Sequence, residues 1–210
     1  MSEESTRERR SRRTREQILQ TAREIVLESG VDGLSLREVA RRLDYSPGAL
    51  YTYFADKDAL VDAMTAGVFQ ELGGYFERVP EDLPAAERLA ALGRAHLDFA
   101  AENPEQYLLV FTRIAAPATQ RFDEIGQAPY PWSVVVETCE AGVSSGELAT
   151  AEGYLGREIF FHFFALHHGL AMLRLTRMRA LPEEVFGPIA TAVRGAYLRS
   201  LTSGDTEEES

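Results

Sequence analysis

The stretch that decides the fold runs from Leu34 to Phe54 and reads LSLREVARRLDYSPGALYTYF. Ser35 stands where a helix N-cap belongs, and Glu38, three residues on, completes a capping box. Leu36, Val39, Ala40 and Leu43 recur at helical spacing, which predicts a short amphipathic helix over residues 36–43. Asp44-Tyr45 makes a tight turn. Ser46 caps the next helix, and Pro47 takes its first position, where a missing N–H costs nothing. That helix is expected from Pro47 to Tyr53, with Leu50 and Phe54 (i, i+4) facing inward as its anchor.

Helical periodicity continues on both sides of this stretch. Upstream, Ile18, Ala22, Ile25 and Val26 form one stripe of a helix from about Thr14 to Ser29, stopped by Gly30 and followed by the turn Val31-Asp32-Gly33. Downstream, Asp56 caps a helix that starts near Lys57 and passes Leu60, Met64 and Phe69 toward Val79. Further helices are expected from Pro84 to Glu102, from Glu105 to Ala115, and from Trp132 to Gly142. The last of these runs against the β preference of Val134-Val135-Val136. Residues 116–131, with Pro117, Gly126, Pro129 and Pro131, read as an irregular connection. Two long helices, Ala151 to Arg179 and Pro182 to Leu201, close the pattern. The fold class expected is all-α: an N-terminal three-helix head on a larger helical body.

Composition agrees. The 210 residues are 45% hydrophobic, enough to bury a real core. Cys139 is the only cysteine, so no intramolecular disulfide can form, which fits a reducing compartment. The N-terminus lacks the apolar segment of a secretory signal. The stretch Ile159 to Leu173 is uncharged but too short for a membrane span and carries three histidines. A cytoplasmic protein with no membrane association is expected. The net charge of −11 is unevenly divided. Residues 1–60 hold eleven basic and eleven acidic residues; residues 61–210 hold eleven basic and twenty-two acidic. Within the neutral head, Arg7, Arg9, Arg10, Arg12, Arg13 and Arg15 crowd together, and this polar leader is expected to be disordered. An acidic body with a locally basic head would orient the molecule toward a polyanion.

Two short helices joined by a tight turn form the helix-turn-helix pattern, whose second helix offers its N-terminal residues to base edges in the DNA major groove. Small or polar residues are required there, and Ser46, Pro47, Gly48, Ala49 and Thr52 meet the requirement. Tyr51 and Tyr53 can reach flanking phosphates through their hydroxyls. Lys57 adds a cation at a helix start, and Arg37 sits on the first turn of the preceding helix.

With those residues in view, residues 14–60 resemble the DNA-binding head of the tetracycline-repressor (TetR-type) family. The resemblance rests on Leu34-Ser35-Leu36-Arg37-Glu38-Val39-Ala40, then Tyr45-Ser46-Pro47-Gly48-Ala49-Leu50-Tyr51-Thr52-Tyr53-Phe54, then Lys57-Asp58-Ala59-Leu60. Asp44-Tyr45 departs from the Gly-Val common in the family, but Asp tolerates a left-handed turn. Further on, Glu102-Asn103-Pro104-Glu105-Gln106-Tyr107-Leu108-Leu109-Val110-Phe111 and Leu166-His167-His168-Gly169-Leu170 look like the WHG-type C-terminal subgroup. The resemblance implies a ligand pocket in the body and a homodimer through the last two helices. The organisation expected is a disordered Arg-rich arm (1–13), a helix-turn-helix domain (14–62), a ligand-binding and dimerisation domain (63–203) and an acidic tail (204–210). The function expected is a repressor that binds palindromic double-stranded operator DNA as a homodimer and is released by a small apolar or aromatic effector. A DNA-binding activator, or a regulator without an effector, is the alternative.

Body aromatics that cannot all be exposed are the expected pocket lining: Phe99, Tyr107, Phe111, Trp132, Phe160, Phe163 and Phe164, with His96, His162 and His167 as its polar groups. The run Phe160, Phe161, Phe163, Phe164 is apolar nearly all round, which predicts a helix buried on both sides. No metal or cofactor is expected. His162, His167 and His168 lack the i, i+4 spacing of helix-borne ligands. Gly142-Val143-Ser144-Ser145-Gly146 matches G-x-S-x-G, but no Asp lies between it and the histidines and no sheet surrounds it, so a helix end and turn is the better reading. No acid, base or metal groups converge as an enzyme requires.

Overall fold

The computed structural model describes residues 5–113, 130–148 and 156–202. Among these residues every regular element is helical and there is no strand. The α-helices are α1 (Thr6–Ser29), α2 (Leu36–Leu43), α3 (Pro47–Leu50), α4 (Lys57–Phe76), α5 (Ala85–Glu102), α6 (Pro104–Leu108, continued as a π-helical turn over Leu109–Arg113), α7 (Trp132–Ser145), α8 (Gly156–Leu175) and α9 (Glu183–Thr202). No helix among the described residues is long and apolar enough to cross a membrane. The expected connection at 116–129, the start of the helix drawn from Ala151, and the acidic tail lie outside the described residues.

The chain forms two compact units. The first holds the described residues up to Val68 and those from Glu105 to Arg113; the second holds Phe69–Pro104 and the described residues from Tyr130 on. The sequence reading put the boundary at residue 62 and all of 63–203 in the body. The difference has a packing cause: Leu109 is buried in one cluster with Ile18, Ala22, Ile25, Val39, Leu50, Leu60 and Met64, so the segment around it counts with the head.

The first helix begins at Thr6, not Thr14. Most of the Arg-rich stretch expected to be disordered is its opening turns. A complete capping box explains this: the Ser5 hydroxyl accepts from the Glu8 N–H at 3.3 Å, and the Glu8 carboxylate accepts from the Ser5 N–H at 2.7 Å. The helix ends at Gly30, whose φ of 72° only glycine adopts readily. At the start of α2 the box is half made. Ser35 accepts from the Glu38 N–H at 3.1 Å, but the Glu38 carboxylate turns away to Arg41 and Arg42. The last turn is closed by Asp44 in the left-handed conformation (φ 57°, ψ 39°), with the Tyr45 N–H donating to the Ala40 carbonyl at 2.9 Å. This six-to-one bond is the Schellman closure.

In the second unit Trp132 lies at the centre of an aromatic cluster. Its ring meets Phe76 at 6.0 Å, Phe164 at 5.1 Å and Phe160 at 6.3 Å, each edge to face, and His96 at 5.5 Å. The three valines did not prevent α7, which outlasts its expected end at Gly142 and stops at left-handed Gly146 (φ 77°). The Gly142–Gly146 segment is thus a helix end and turn, as read. α5 and α8 approach closely at Gly93, where a Cβ would collide with the His167 imidazole. The Nδ1 of that ring donates to the Phe163 carbonyl at 2.8 Å.

His96 and His167 are both buried. Burial pushes the first down to about 3, helped by the neighbouring histidines, and the second to about 4. Both are therefore held neutral in the fold. The unfolded chain binds their protons from about pH 6.5 downward while the folded chain does not, so stability is complete above that pH and is lost as pH falls toward 4. Each histidine contributes about 1.4 kcal/mol per pH unit in this window. Urea unfolding followed at the body should show a loss of up to about 3 kcal/mol between pH 7.5 and 5.5. An unchanged midpoint would mean the two imidazoles titrate normally.

Candidate nucleic-acid interface and body core

The head presents its candidate residues on one short segment. α3 is a single turn, Pro47–Leu50, rather than the two expected. Beyond it the chain continues in tight turns: the Thr52 N–H donates to the Ala49 carbonyl at 3.3 Å and the Tyr53 N–H to the Leu50 carbonyl at 2.9 Å. Ser46 occupies the N-cap position with Pro47 at N1, but its hydroxyl makes no capping bond. Leu50 and Phe54 are fully buried, as their spacing predicts, and Arg15 lies over the Phe54 ring at 5.0 Å.

With those two side chains pointing inward, the rest of the segment points out. Ser46, Pro47, Gly48, Tyr51 and Thr52 are exposed, and Ala49 is half-buried. A Cβ on Gly48 would meet nothing within 4 Å, so the surface there is open. The Thr52 hydroxyl donates to the Ala49 carbonyl at 2.7 Å, which fixes the rotamer of this exposed side chain. Tyr53 is half-buried and packs on the head core. Lys57 is half-buried and Arg37 exposed. The start of α4 is held by Asp56, which accepts from the Ala59 N–H at 2.8 Å. Tyr45, absent from the candidate residues, is also exposed beside Ser46; its position in the turn was its only signal.

Charged neighbours brace this surface. Arg42 reaches Glu28 at the end of α1 at 2.6 Å and Glu38 at 3.0 Å, and Arg41 reaches Glu38 at 2.7 Å. Hydrogen bonds from Arg41 and Arg42 pull the Glu38 carboxyl down to about 2. Exposed pairs of this kind orient more than they stabilise. Only the Arg42–Glu28 pair joins α1 to α2, whose packing is set by the buried cluster of Ile18, Ala22, Ile25, Val39 and Ala40.

The body candidates divide. His96, Phe99, Trp132, Phe160, Phe163 and His167 are buried in the second unit, with Phe164 half-buried beside them. Phe163 and His167 stack at 4.3 Å. Tyr107 and Phe111, whose rings lie 4.6 Å apart, belong to the first unit instead. His162 is exposed, as is Phe161 at 45%, so α8 is not buried on both sides in the single chain. Its period places Phe161 and His162 opposite Phe163 and His167. Two clefts lie between α5, α8 and α9, and of the candidate residues only His167 lines either. Arg94, Arg174 and Arg194, which also line them, were not legible, because they come from three helices and form no motif. Among the described residues no three His, Cys, Asp or Glu side chains are placed to hold a metal ion.

Comparison with known proteins gives this geometry a context. Residues 18–64 match the family model for bacterial regulatory proteins of the tetR family. An HTH-type transcriptional regulator of Mycobacterium bovis is 29% identical over 97 residues, which is 45% of this chain and 42% of that protein. The tetracycline repressor protein class A from transposon 1721 of Escherichia coli is 30% identical over 143 residues, covering 64% of this chain and 58% of that one. The chain thus spans between about two fifths and three fifths of the length of these relatives. Among solved structures, a protein of unknown function from Rhodococcus sp. RHA1 aligns with a TM-score of 0.68 at 29% identity, over 90% of this chain and 95% of that one. A putative tetR family transcription regulator from Shewanella sp. PV-4 aligns with a TM-score of 0.72, over 90% and 98%, but at 18% identity it shows the fold alone. The WHG-type subgroup finds no support among these matches. Residues 18–64 thus match the tetR family of bacterial regulatory proteins, and the chain has the all-helical fold of solved structures described as belonging to that family.

Proposed function

We propose that the chain is a transcriptional repressor that binds palindromic operator DNA as a homodimer and releases it on binding a small apolar or aromatic effector. The observation that carries this reading is the division at α3. Leu50 and Phe54 lock the segment to the head core while Ser46, Pro47, Gly48 and Thr52 face out with no bulky group to keep a base pair away. In this reading Gly48, Ala49 and Thr52 lie near base edges, and Ser46 and Pro47 open the approach. Tyr51, Tyr53, Lys57 and Arg37 take phosphates. The exposed arginines on the first turns of α1 lie along the backbone as a helical extension. The acidic remainder of the chain keeps the body off the DNA.

One short segment reads too few base pairs to specify a site, so two copies on a two-fold site are required. The second copy has a face to meet. On α9, Val185, Ile189 and Val193, four residues apart, are 40–50% exposed, and Ala192 and Ala196 beside them allow close helix approach. On α8, Phe161 and Leu173 are exposed as well. The apolar stripe on α9, with these two exposed side chains on α8, suits an isologous interface.

The effector reading rests on the cluster around Trp132, where aromatic faces meet two neutral imidazoles capable of hydrogen bonding. A ligand held there would act by preferring one of two conformations of the body.

Three outcomes test the reading. Lys57→Ala should weaken binding to every DNA sequence about equally and reduce the slope of log affinity against log salt by about one; an unchanged slope removes the phosphate contact. Ile189→Glu should convert a dimer at micromolar concentration, seen by sedimentation equilibrium, into a monomer, whereas a monomeric parent chain would contradict the two-fold arrangement. Phe160→Ala should change the response to aromatic effectors, followed through the emission of the single tryptophan, while effector-free affinity for DNA stays near that of the parent. Normal response in this variant would place the effector elsewhere.

A further inference from the structure

The body is acidic overall, yet it holds a cleft of the opposite sign. Two adjoining depressions lie between α5, α8 and α9. The larger encloses about 220 Å3 and the smaller about 140 Å3, and Arg94, Thr191 and Arg194 line both. The larger is also bordered by Asp98, Arg174 and Glu183 and has an apolar floor that includes Leu97 and Phe186.

The charges around it do not cancel. Arg174 is already engaged. Its Nε lies 3.5 Å from Glu183, one Nη donates to the Met178 and Arg179 carbonyls at 3.2 Å each, and its guanidinium stands over the Phe186 ring at 5.5 Å. Arg94 and Arg194 face the cleft from two different helices, with Asp98 as the carboxylate near both. Neither is within ion-pairing distance of a carboxylate among the described residues. The Nε of Arg194 donates to the Ala190 carbonyl of its own helix at 3.4 Å. Burial and then the like charge of Arg94 hold the Arg194 guanidinium below its usual range, against the opposing pull of Asp98. Arg94 and Asp98 are exposed and Arg194 is half-buried, so two guanidiniums and one carboxylate leave one positive charge over, with only the Arg194 end partly removed from water. A bound monoanion would relieve this.

We propose that this cleft binds a small organic carboxylate, held by Arg94 and Arg194 through its carboxylate oxygens and resting its apolar part on Leu97 and Phe186. The planar fork of a guanidinium matches the two oxygens of a carboxylate. One unit of surplus charge suits a monoanion better than a phosphate dianion, and an apolar floor suits a hydrocarbon body. The volume lies below the roughly 300–1,000 Å3 of pockets for drug-sized ligands, so the acid is small. The larger depression shares no residue with the aromatic cluster around Trp132, the smaller one touches it only through His167, and the site does not depend on the DNA-binding reading. It also stays open in a dimer formed through Val185, Ile189 and Val193. At 100° per residue these side chains leave α9 on a different side from Thr191 and Arg194.

Calorimetric titration of the full chain in 150 mM NaCl tests the proposal, with hexanoate, benzoate, hexanamide and inorganic phosphate as probes. Saturable binding of hexanoate or benzoate is expected, with none of hexanamide. Arg94→Gln and Arg194→Gln should each weaken it at least tenfold while the helical circular-dichroism spectrum is unchanged. Thr191→Phe, at an exposed position that lines both depressions, should block the acid without removing a charge, and so covers the case in which an arginine variant fails to fold. The proposal is overturned if neither acid binds saturably, if the amide binds as well as the acid, if phosphate is preferred to both acids, or if the folded variants bind as the parent does.

Discussion

A helix of four residues cannot hold itself together in water. Closing the first turn fixes several dihedral angles for a single hydrogen bond, so so short a helix has no stability of its own. α3 is that short, and its conformation is imposed by the burial of Leu50 and Phe54 against Ile18, Val39, Leu60 and Met64. The left-handed turn at Asp44 brings those anchors to the core in the right phase. Shifting the turn by one residue would rotate the segment by about 100° and put Ala49 and Tyr53, or Tyr51 and Ala55, in place of the anchors. The exposed face of the head is the complement of its buried one, and the functional reading follows from that division.

Much of this was legible because short amphipathic helices announce themselves locally. Ser35, the 36–39–40–43 stripe, Asp44, Ser46-Pro47 and Asp56 each specify one backbone event, and the events agree with one another. Where the reading failed, a local signal was outweighed or overlooked. The arginine-rich leader has no apolar stripe and so reads as disorder, yet Ser5-Thr6-Arg7-Glu8 is a capping box, and its two hydrogen bonds start the helix at Thr6. Glu38 looks like the second half of another box, but two arginines one turn on compete for it and win. Val134-Val135-Val136 favours a strand, but the residues on either side of it bury Trp132 and Cys139 at helical spacing, and tertiary packing overrides propensity.

The body was legible as helices but less so as a site. Aromatic content points to a pocket without saying which rings share it, and Tyr107 and Phe111 lie in the other unit from Trp132. A cleft built from single residues on three helices leaves no trace at any fixed spacing, so Arg94, Arg174 and Arg194 emerge only when the helices are packed. Phe161 shows the opposite limit. It is as apolar as its neighbours, and nothing local distinguishes a ring that packs inside from one left 45% exposed.

The central claim is that the segment from Ser46 to Thr52 reads DNA sequence. In vitro selection from random duplexes, run in parallel with the parent chain and with Thr52→Arg, tests it most directly. The account predicts an inverted repeat for the parent and, for the variant, a changed base preference confined to one or two symmetry-related positions with the half-site spacing kept. Selection of no sequence, or of the same sequence by both chains, would contradict it.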